Sequence, residues 1–146
     1  MKIKVNAKSL WMLAMVFFLL AACSPAELTG SDRDKVLAYS EPMADNLLTA
    51  INNGDYAHFT RDLDDAMLKA FPAAGLTQMH DQLNSKIGQY VSRQVTNVAP
   101  SQAMMVVTYS AKYTLEDNVT VRIVFGGTPI IQITGLWFDS PKLRQK

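Results

Sequence analysis

The sequence is poor in cysteine and in charge, and both shortages limit what the chain can be. One of its 146 residues is cysteine, and 18% are charged. A single cysteine excludes an internal disulfide and a cysteine-cluster metal site. The formal net charge of +1 lacks the basic excess of nucleic-acid binders, so no nucleic-acid partner is expected. At 49% hydrophobic, the chain does not have the composition of a disordered protein, and its length fits one domain.

The first 22 residues differ from the rest of the chain. Lys2, Lys4 and Lys8 precede an uninterrupted apolar run over residues 10–22. This run has 13 residues, whereas crossing about 30 Å of hydrocarbon takes roughly 20. A cationic start followed by a short apolar segment is typical of a secretory signal peptide. Residues 1–22 are therefore predicted to be removed from the mature protein.

The apolar run ends in Leu20-Ala21-Ala22-Cys23, which resembles the lipobox of bacterial lipoproteins. The resemblance implies cleavage between Ala22 and Cys23 and a diacylglyceryl group on the Cys23 thiol, which would attach the protein to a membrane. An ordinary signal peptide with an incidental cysteine is the alternative. In the lipoproteins that the motif resembles, an Asp after the cysteine implies retention at the inner membrane, and this chain has Ser24 there. The predicted location is thus the bacterial cell envelope, at the periplasmic face of the outer membrane if the host has two membranes.

The mature chain divides into a short tether and one domain. Residues 23–31 are predicted to form the lipidated tether, and residues 32–146 a single α+β domain. Three of the 14 basic residues lie in the leader, so the mature chain carries 11 basic and 13 acidic side chains, a formal net charge of −2.

Apolar residues at helical spacing predict three helices in the first half of the domain, over residues 32–53, 56–70 and 76–87. Ser31 or Asp32 is the expected N-cap of the first helix, and Asp55 that of the second. Pro42 lies inside the first helix and is expected either to kink it or to split it.

The second half alternates with a period of two and predicts four strands, over residues 90–98, 103–115, 119–125 and 130–138. The connections are short, with a turn expected at residues 116–118, so the sheet should be antiparallel. Gly135 is the expected position of a bulge or of close packing.

A second set of apolar residues, in the fourth predicted strand and its neighbours, alternates in the opposite phase to the residues that are expected to face the helices. A sheet covered by helices on one face needs only one apolar face. Either a partner or a second copy of the chain covers the other face, or the register shifts at a bulge. The set comprises Met104, Val106, Val124, Ile130, Leu136 and Phe138.

Several segments together are similar to small bacterial and archaeal domains of unknown function that are placed in the ketosteroid-isomerase-like superfamily. The resemblance implies a bent four-stranded antiparallel sheet packed on three helices, a cystatin-like cone with a pocket inside. It implies no particular activity. The segments are Tyr39-Ser40-Glu41-Pro42, Asn53-Gly54-Asp55-Tyr56, Ile87-Gly88-Gln89-Tyr90 and Gly135-Leu136-Trp137-Phe138.

The acidic residues give no support to catalysis of the ketosteroid-isomerase kind, which uses an Asp base, a Tyr and a protonated Asp in an apolar pocket. Glu116, Asp117 and Asp139 fall at the ends of predicted strands. No catalytic residue, metal site or cofactor is therefore predicted. The spacing of His58, Asp62, Asp65 and Lys69 places them on one face of the second predicted helix, away from its apolar stripe, where a solvated charged face is expected.

Aromatic residues in the inward phase of the sheet are the candidate pocket lining, and they either hold a small apolar ligand or fill the core. The sequence thus predicts a lipid-anchored extracytoplasmic domain. Its expected role is non-enzymatic binding of a small apolar ligand or a protein, with a homodimer through the sheet face as one form of partner. An enzyme with an unrecognised site in the cone and an envelope scaffold are the alternatives. The candidate lining residues are Tyr90, Tyr109, Tyr113, Phe125 and Trp137.

Overall fold

The computed structural model describes residues 26–145, so the predicted leader, the cleavage site and Cys23 lie outside the described residues. Within this range no helix combines the length and the apolar character needed to cross a membrane. The helices are α1 Gly30–Asn53, α2 Tyr56–Thr60, α3 Asp65–Ala70, α4 Ala73–Lys86 and α5 Pro141–Arg144, and the strands are β1 Tyr90–Ser101, β2 Met104–Tyr113, β3 Glu116–Gly126 and β4 Gln132–Asp139.

Helix α1 is one continuous helix through Pro42, so the proline does not split it. The helix begins at Gly30, and its N-cap is Thr29 rather than the expected Ser31 or Asp32. The early start follows from the preceding residue: the Leu28 backbone N–H donates to the Val98 carbonyl at 2.7 Å, which brings the chain to the sheet immediately before the helix.

The second predicted helix is two helices, so four helices rather than three precede the sheet in the described range. Between α2 and α3 the backbone bonds to β4 instead of continuing the helix. The Ile133 N–H donates to the Asp62 carbonyl at 2.7 Å, and the Asp64 N–H donates to the Ile133 carbonyl at 3.0 Å. The break separates His58 from Asp65, so the charged face expected along one helix does not form. Asp55 caps α2 as predicted, accepting from the His58 backbone N–H at 3.1 Å.

The four strands form one antiparallel sheet in the order β1-β2-β3-β4, which confirms the α+β prediction. Strand β1 runs through Pro100, which an edge strand tolerates because one side of its backbone has no strand partner. The β2–β3 turn consists of residues 114–115 rather than 116–118, since Glu116 already pairs with Tyr113.

A bulge in β4 changes which of its residues face the helices. Val124 pairs with Gly135 and Phe125 with Ile133, so Thr134 is one residue too many on the β4 side. Beyond the bulge, Leu136 and Phe138 pack against the core. Trp137 therefore points away from the helices and is 54% exposed, so the expected inward orientation of Trp137 is wrong.

Gly54 and Gly88 give a matched test of local packing, since both have a positive φ, of 65° and 82°. A Cβ added at Gly54 meets nothing within 4 Å, whereas one at Gly88 meets the Thr114 hydroxyl and lies 3.2 Å from the Leu115 backbone nitrogen. We expect Gly54→Ala to lower the free energy of unfolding by about 1 kcal/mol through strain alone. Gly88→Ala should lower it by roughly 2–4 kcal/mol, because overpacking adds to the strain. Urea titration followed by circular dichroism measures both values; equal losses would contradict the packing described at Gly88.

Candidate functional site

The aromatic residues expected on the inner face fill the core there. Tyr109 and Phe125 are each 1% exposed and Tyr113 is 4% exposed. Tyr90 is partly buried, and its ring meets that of Tyr113 edge to face with 5.7 Å between centroids. A small cavity beside these two tyrosines has a volume of about 10 Å³, which is room for one water. The structure thus brings four of the five candidate lining residues to one face, and it places Trp137 on the other.

A buried arginine on β1 is the main polar feature between the sheet and α1. The Arg93 side chain is 10% exposed. Its Nη1 donates to Asp45 Oδ1 at 2.8 Å and to the Tyr90 hydroxyl at 3.1 Å, and its Nη2 donates to the Glu41 carbonyl at 2.9 Å. The guanidinium also lies 5.5 Å from the centre of the Tyr109 ring, within cation–π range. Although burial lowers it, hydrogen bonds to Asp45 and Tyr90 hold the pKa of Arg93 above its ordinary value.

Four buried polar atoms of Arg93 and its neighbours lack a well-formed hydrogen bond within the described part of the chain, although the Tyr109 hydroxyl lies close enough to Ser40 and Glu41 to interact with both. They are Ser40 Oγ, Glu41 Oε1, Arg93 Nε and the Tyr109 hydroxyl oxygen. Burial, with the nearby Glu41 carboxylate, raises the pKa of Tyr109, so its phenol stays protonated. Buried polar atoms normally have a well-formed hydrogen bond, and the exceptions among the described residues lie together in this cluster.

The cluster opens onto a groove of about 530 Å³ between α1 and the start of β1, here called the α1–β1 groove. Glu41, Asp45 and Thr49 line it from α1 at a spacing of four residues. Both amino groups of Arg93 are already engaged, and the carboxylates of Glu41 and Asp45 give the groove one negative charge more than Arg93 balances. Of the two carboxylates that pair with Arg93, that of Asp45 is the more accessible, since its side chain is 69% exposed.

Sequence reasoning missed this site. Two signals were available in the sequence. Arg93 stands two residues before Val95, in the inward phase of a strand, and Glu41 and Asp45 are four residues apart. The meeting of the two elements depends on tertiary packing, which the spacing within each element does not encode.

The other face of the sheet carries an apolar surface, here called the outer-face patch: Met104, Val106, Val124 and Trp137. These residues, with Arg122 and Thr134 among their neighbours, line a shallow concavity of about 490 Å³. The Trp137 ring lies over Gly135, where an added Cβ would come within 2.6 Å of it. Gly135 thus stands beside the bulge and permits close packing, as predicted.

The four charged residues expected on the second helix are dispersed in the structure. His58 Nδ1 lies 2.7 Å from Asp55 Oδ2, while Asp62 accepts from Asn46 at 2.9 Å and from Arg61 at 3.0 Å. In residues 26–145 no group of three or more His, Cys, Asp or Glu side chains is arranged to hold a metal ion.

Residues 44–131 match a protein family of unknown function, DUF3887. The chain belongs to this family. The match begins inside α1 and ends in the β3–β4 loop, so it includes Asp45 and Arg93 but neither Glu41 nor Trp137. Comparisons with curated proteins and with solved structures return no match. The resemblance to the ketosteroid-isomerase-like superfamily therefore stays a prediction.

Removal of the buried arginine should destabilise the domain. Arg93→Ala leaves Glu41 and the Tyr109 hydroxyl beside an empty space, so we expect a loss of about 2 kcal/mol, less than for a fully buried pair because Asp45 is exposed. Arg61→Ala is the matched control, since Arg61 is 54% exposed and bonded to Asp62. It should change the free energy of unfolding by less than about 1 kcal/mol. Similar urea midpoints for the two variants would show that Arg93 does not hold α1 to the sheet.

Proposed function

We propose that this member of the DUF3887 family is a lipid-anchored, extracytoplasmic and non-enzymatic binding module of the bacterial envelope. Its α1–β1 groove takes a basic segment of a partner protein. The observation that carries the proposal is the excess of negative charge in the groove, where the Glu41 and Asp45 carboxylates both pair with Arg93, whose amino groups are already occupied.

The anchor is proposed from the leader, since the lipobox-like motif places the only cysteine at the end of a signal-peptide pattern. Each buried methylene of an acyl chain contributes about 0.8 kcal/mol, and two or more chains together give stable membrane attachment. The periplasmic face of the outer membrane is the proposed location in a host with two membranes.

On the side of the sheet that faces α1, the shape of the cavities favours a protein ligand over a small apolar one. Small-molecule sites typically bury 70–90% of the ligand surface. The cavity beside Tyr90 and Tyr113 has room for about one water, whereas the α1–β1 groove is open to solvent. An extended segment of a partner fits an open groove, and β1 is an edge strand whose backbone offers further hydrogen bonds.

The charges of the groove favour a basic segment. Glu41 and Asp45 carry two negative charges against the single positive charge of Arg93. Hydrogen bonds from Lys or Arg to a carboxylate are about twice as strong as neutral ones. A lysine or arginine of the partner would therefore complete the site.

An enzymatic site is the second candidate, favoured by the Glu41 carboxylate beside the buried Tyr109 phenol. A carboxylate and a phenol in one cluster are the kinds of group that acid–base catalysis uses. Native mass spectrometry of the protein from its own host separates the two candidates. A retained small molecule that is lost in Glu41→Gln would favour the enzyme, and a retained peptide or protein would favour the binding module.

The anchor is tested by acyl labelling in a bacterial host. The wild-type full-length protein should incorporate labelled palmitate and sediment with membranes. Cys23→Ala should lose both properties, because the acceptor thiol is gone. Ser24→Ala, at the neighbouring residue, is the control and should be labelled like the wild type. Labelling that persists in Cys23→Ala would disprove the assignment.

The groove is tested with a peptide array that contains Lys- and Arg-rich peptides beside Asp- and Glu-rich ones. The purified protein should bind the basic peptides, and Asp45→Asn should weaken that binding about tenfold, a loss of one charge-assisted hydrogen bond. Asp32→Asn is the matched control, since Asp32 lies on the same helix, is also 69% exposed and is also paired with a base. A preference for acidic peptides, or equal weakening by both variants, would contradict the proposal.

A further inference from the structure

We infer that the lipid bilayer covers the outer-face patch, so that the end of the sheet nearest the tether rests on the membrane. This inference depends on the proposed lipid anchor at Cys23. It goes beyond that anchor because it assigns a docking surface and an orientation to the folded domain.

The tether enters the fold at a defined point on the sheet. The Leu28 backbone bonds to Val98 in β1, and the Leu28 side chain packs against the core. Five residue steps separate Cys23 from Leu28, and a fully extended chain of that length spans at most about 18 Å. A lipidated Cys23 therefore keeps the bilayer within about 18 Å of Leu28.

A tether of at most about 18 Å lets the bilayer contact one end of the sheet but not the other. Val98 pairs with Val107, three residues from the start of β2 at Met104. Three residues of strand span about 10 Å. In the other direction Tyr90 is eight residues away along β1, which corresponds to about 26 Å. The bilayer can thus meet the end of the sheet that holds Met104, here called the near end, but not the end that holds Tyr90, the far end.

The outer face is apolar toward the near end and polar toward the far end. Val106 and Val124 pair across β2 and β3 on the near side of the Val107 level, and the Trp137 ring extends over Gly135 toward the same end. The β3–β4 loop, also at the near end, exposes Ile130 at 71% and Ile131 at 38%. The outward side chains farther along β2 and β3 are Ser110, Lys112, Asn118 and Thr120.

This division favours the bilayer over a second copy of the chain. A sheet-to-sheet dimer requires an apolar face but places no requirement on where the tether enters. Membrane contact requires that the apolar surface and the anchor lie at the same end, as they do here. The chemistry also fits, since tryptophan concentrates at membrane interfaces, and Arg122, which pairs with Trp137, can bind a lipid phosphate.

The sequence supplies a probe for this contact. Its two tryptophans are Trp11, in the predicted leader, and Trp137. The experiment uses the full-length protein, processed and lipidated in a bacterial host, with its acyl chains and its cleavage verified by intact mass. The protein is reconstituted into vesicles of phosphatidylethanolamine and phosphatidylglycerol with or without brominated acyl chains. We expect the brominated lipid to lower Trp137 emission about twofold, because the ring lies at the interface.

Two matched variants test the orientation. Ile130→Asp, in the near-end loop, should restore most of the Trp137 emission because a carboxylate opposes insertion of the loop. Leu115→Asp changes a 55% exposed apolar residue in the β2–β3 turn at the far end and should leave the quenching unchanged. Both side chains are exposed, so circular dichroism should show that both variants remain folded.

Each other outcome overturns the inference in a recognisable way. Lipidated protein whose Trp137 is quenched by aqueous acrylamide but not by brominated lipid would leave the anchor standing and refute the docking. Protection from both quenchers, together with crosslinked dimers, would show that a second copy covers the patch. An intact mass without acyl chains would refute the anchor itself, and the docking with it.

Discussion

Among the described residues, the helices cover one face of the sheet and leave the other exposed, and this one-sided burial determines which surfaces a partner can reach. The inner face holds Tyr109, Tyr113 and Phe125 in a packed core, and the small cavity beside Tyr113 has room for about one water. Arg93 is the exception, a charged side chain on the buried face that α1 must satisfy. Its bonds to Asp45 and to the Glu41 backbone hold α1 against β1, and they also create the α1–β1 groove. The contacts that stabilise the domain thus also form the groove that is proposed to bind a partner.

The second consequence of one-sided cover is an outer face whose composition depends on the bulge at Thr134. One additional residue in β4 sends Leu136 and Phe138 to the core and Trp137 to the outside. With unbroken alternation, Trp137 would enter the core and two large apolar side chains would face outward instead. The bulge therefore reduces the apolar surplus of the outer face to the patch around Trp137.

Local patterns in the sequence predicted the parts of the fold that local interactions determine. The alternation of Val107, Tyr109, Val121 and Ile123 is confirmed as the buried face, and Asp55 is confirmed as a helix cap. The failures all involve distant partners. The second predicted helix breaks near Leu63 because Ile133, seventy residues later in the chain, forms hydrogen bonds with Asp62 and Asp64. Trp137 points outward because β4 pairs with β3 through a bulge. Arg93 gains its partners only when α1 packs on β1. These contacts depend on how distant segments pack together, and the two-residue and 3.6-residue periods of the sequence carry no information about that packing.

The two proposed surfaces are compatible because they lie at opposite ends of the sheet. Helix α1 runs antiparallel to β1, since Leu28 at its start meets Val98 while Asn52 near its end accepts from the Tyr90 N–H at 2.8 Å. Arg93 is five residues of strand from Val98, which corresponds to about 16 Å. If the near end rests on the bilayer, the groove around Arg93 opens toward the aqueous side, where a partner protein can reach it. A domain docked in the reverse orientation would require about 26 Å of tether to bring its far end to the membrane, and five residue steps supply about 18 Å.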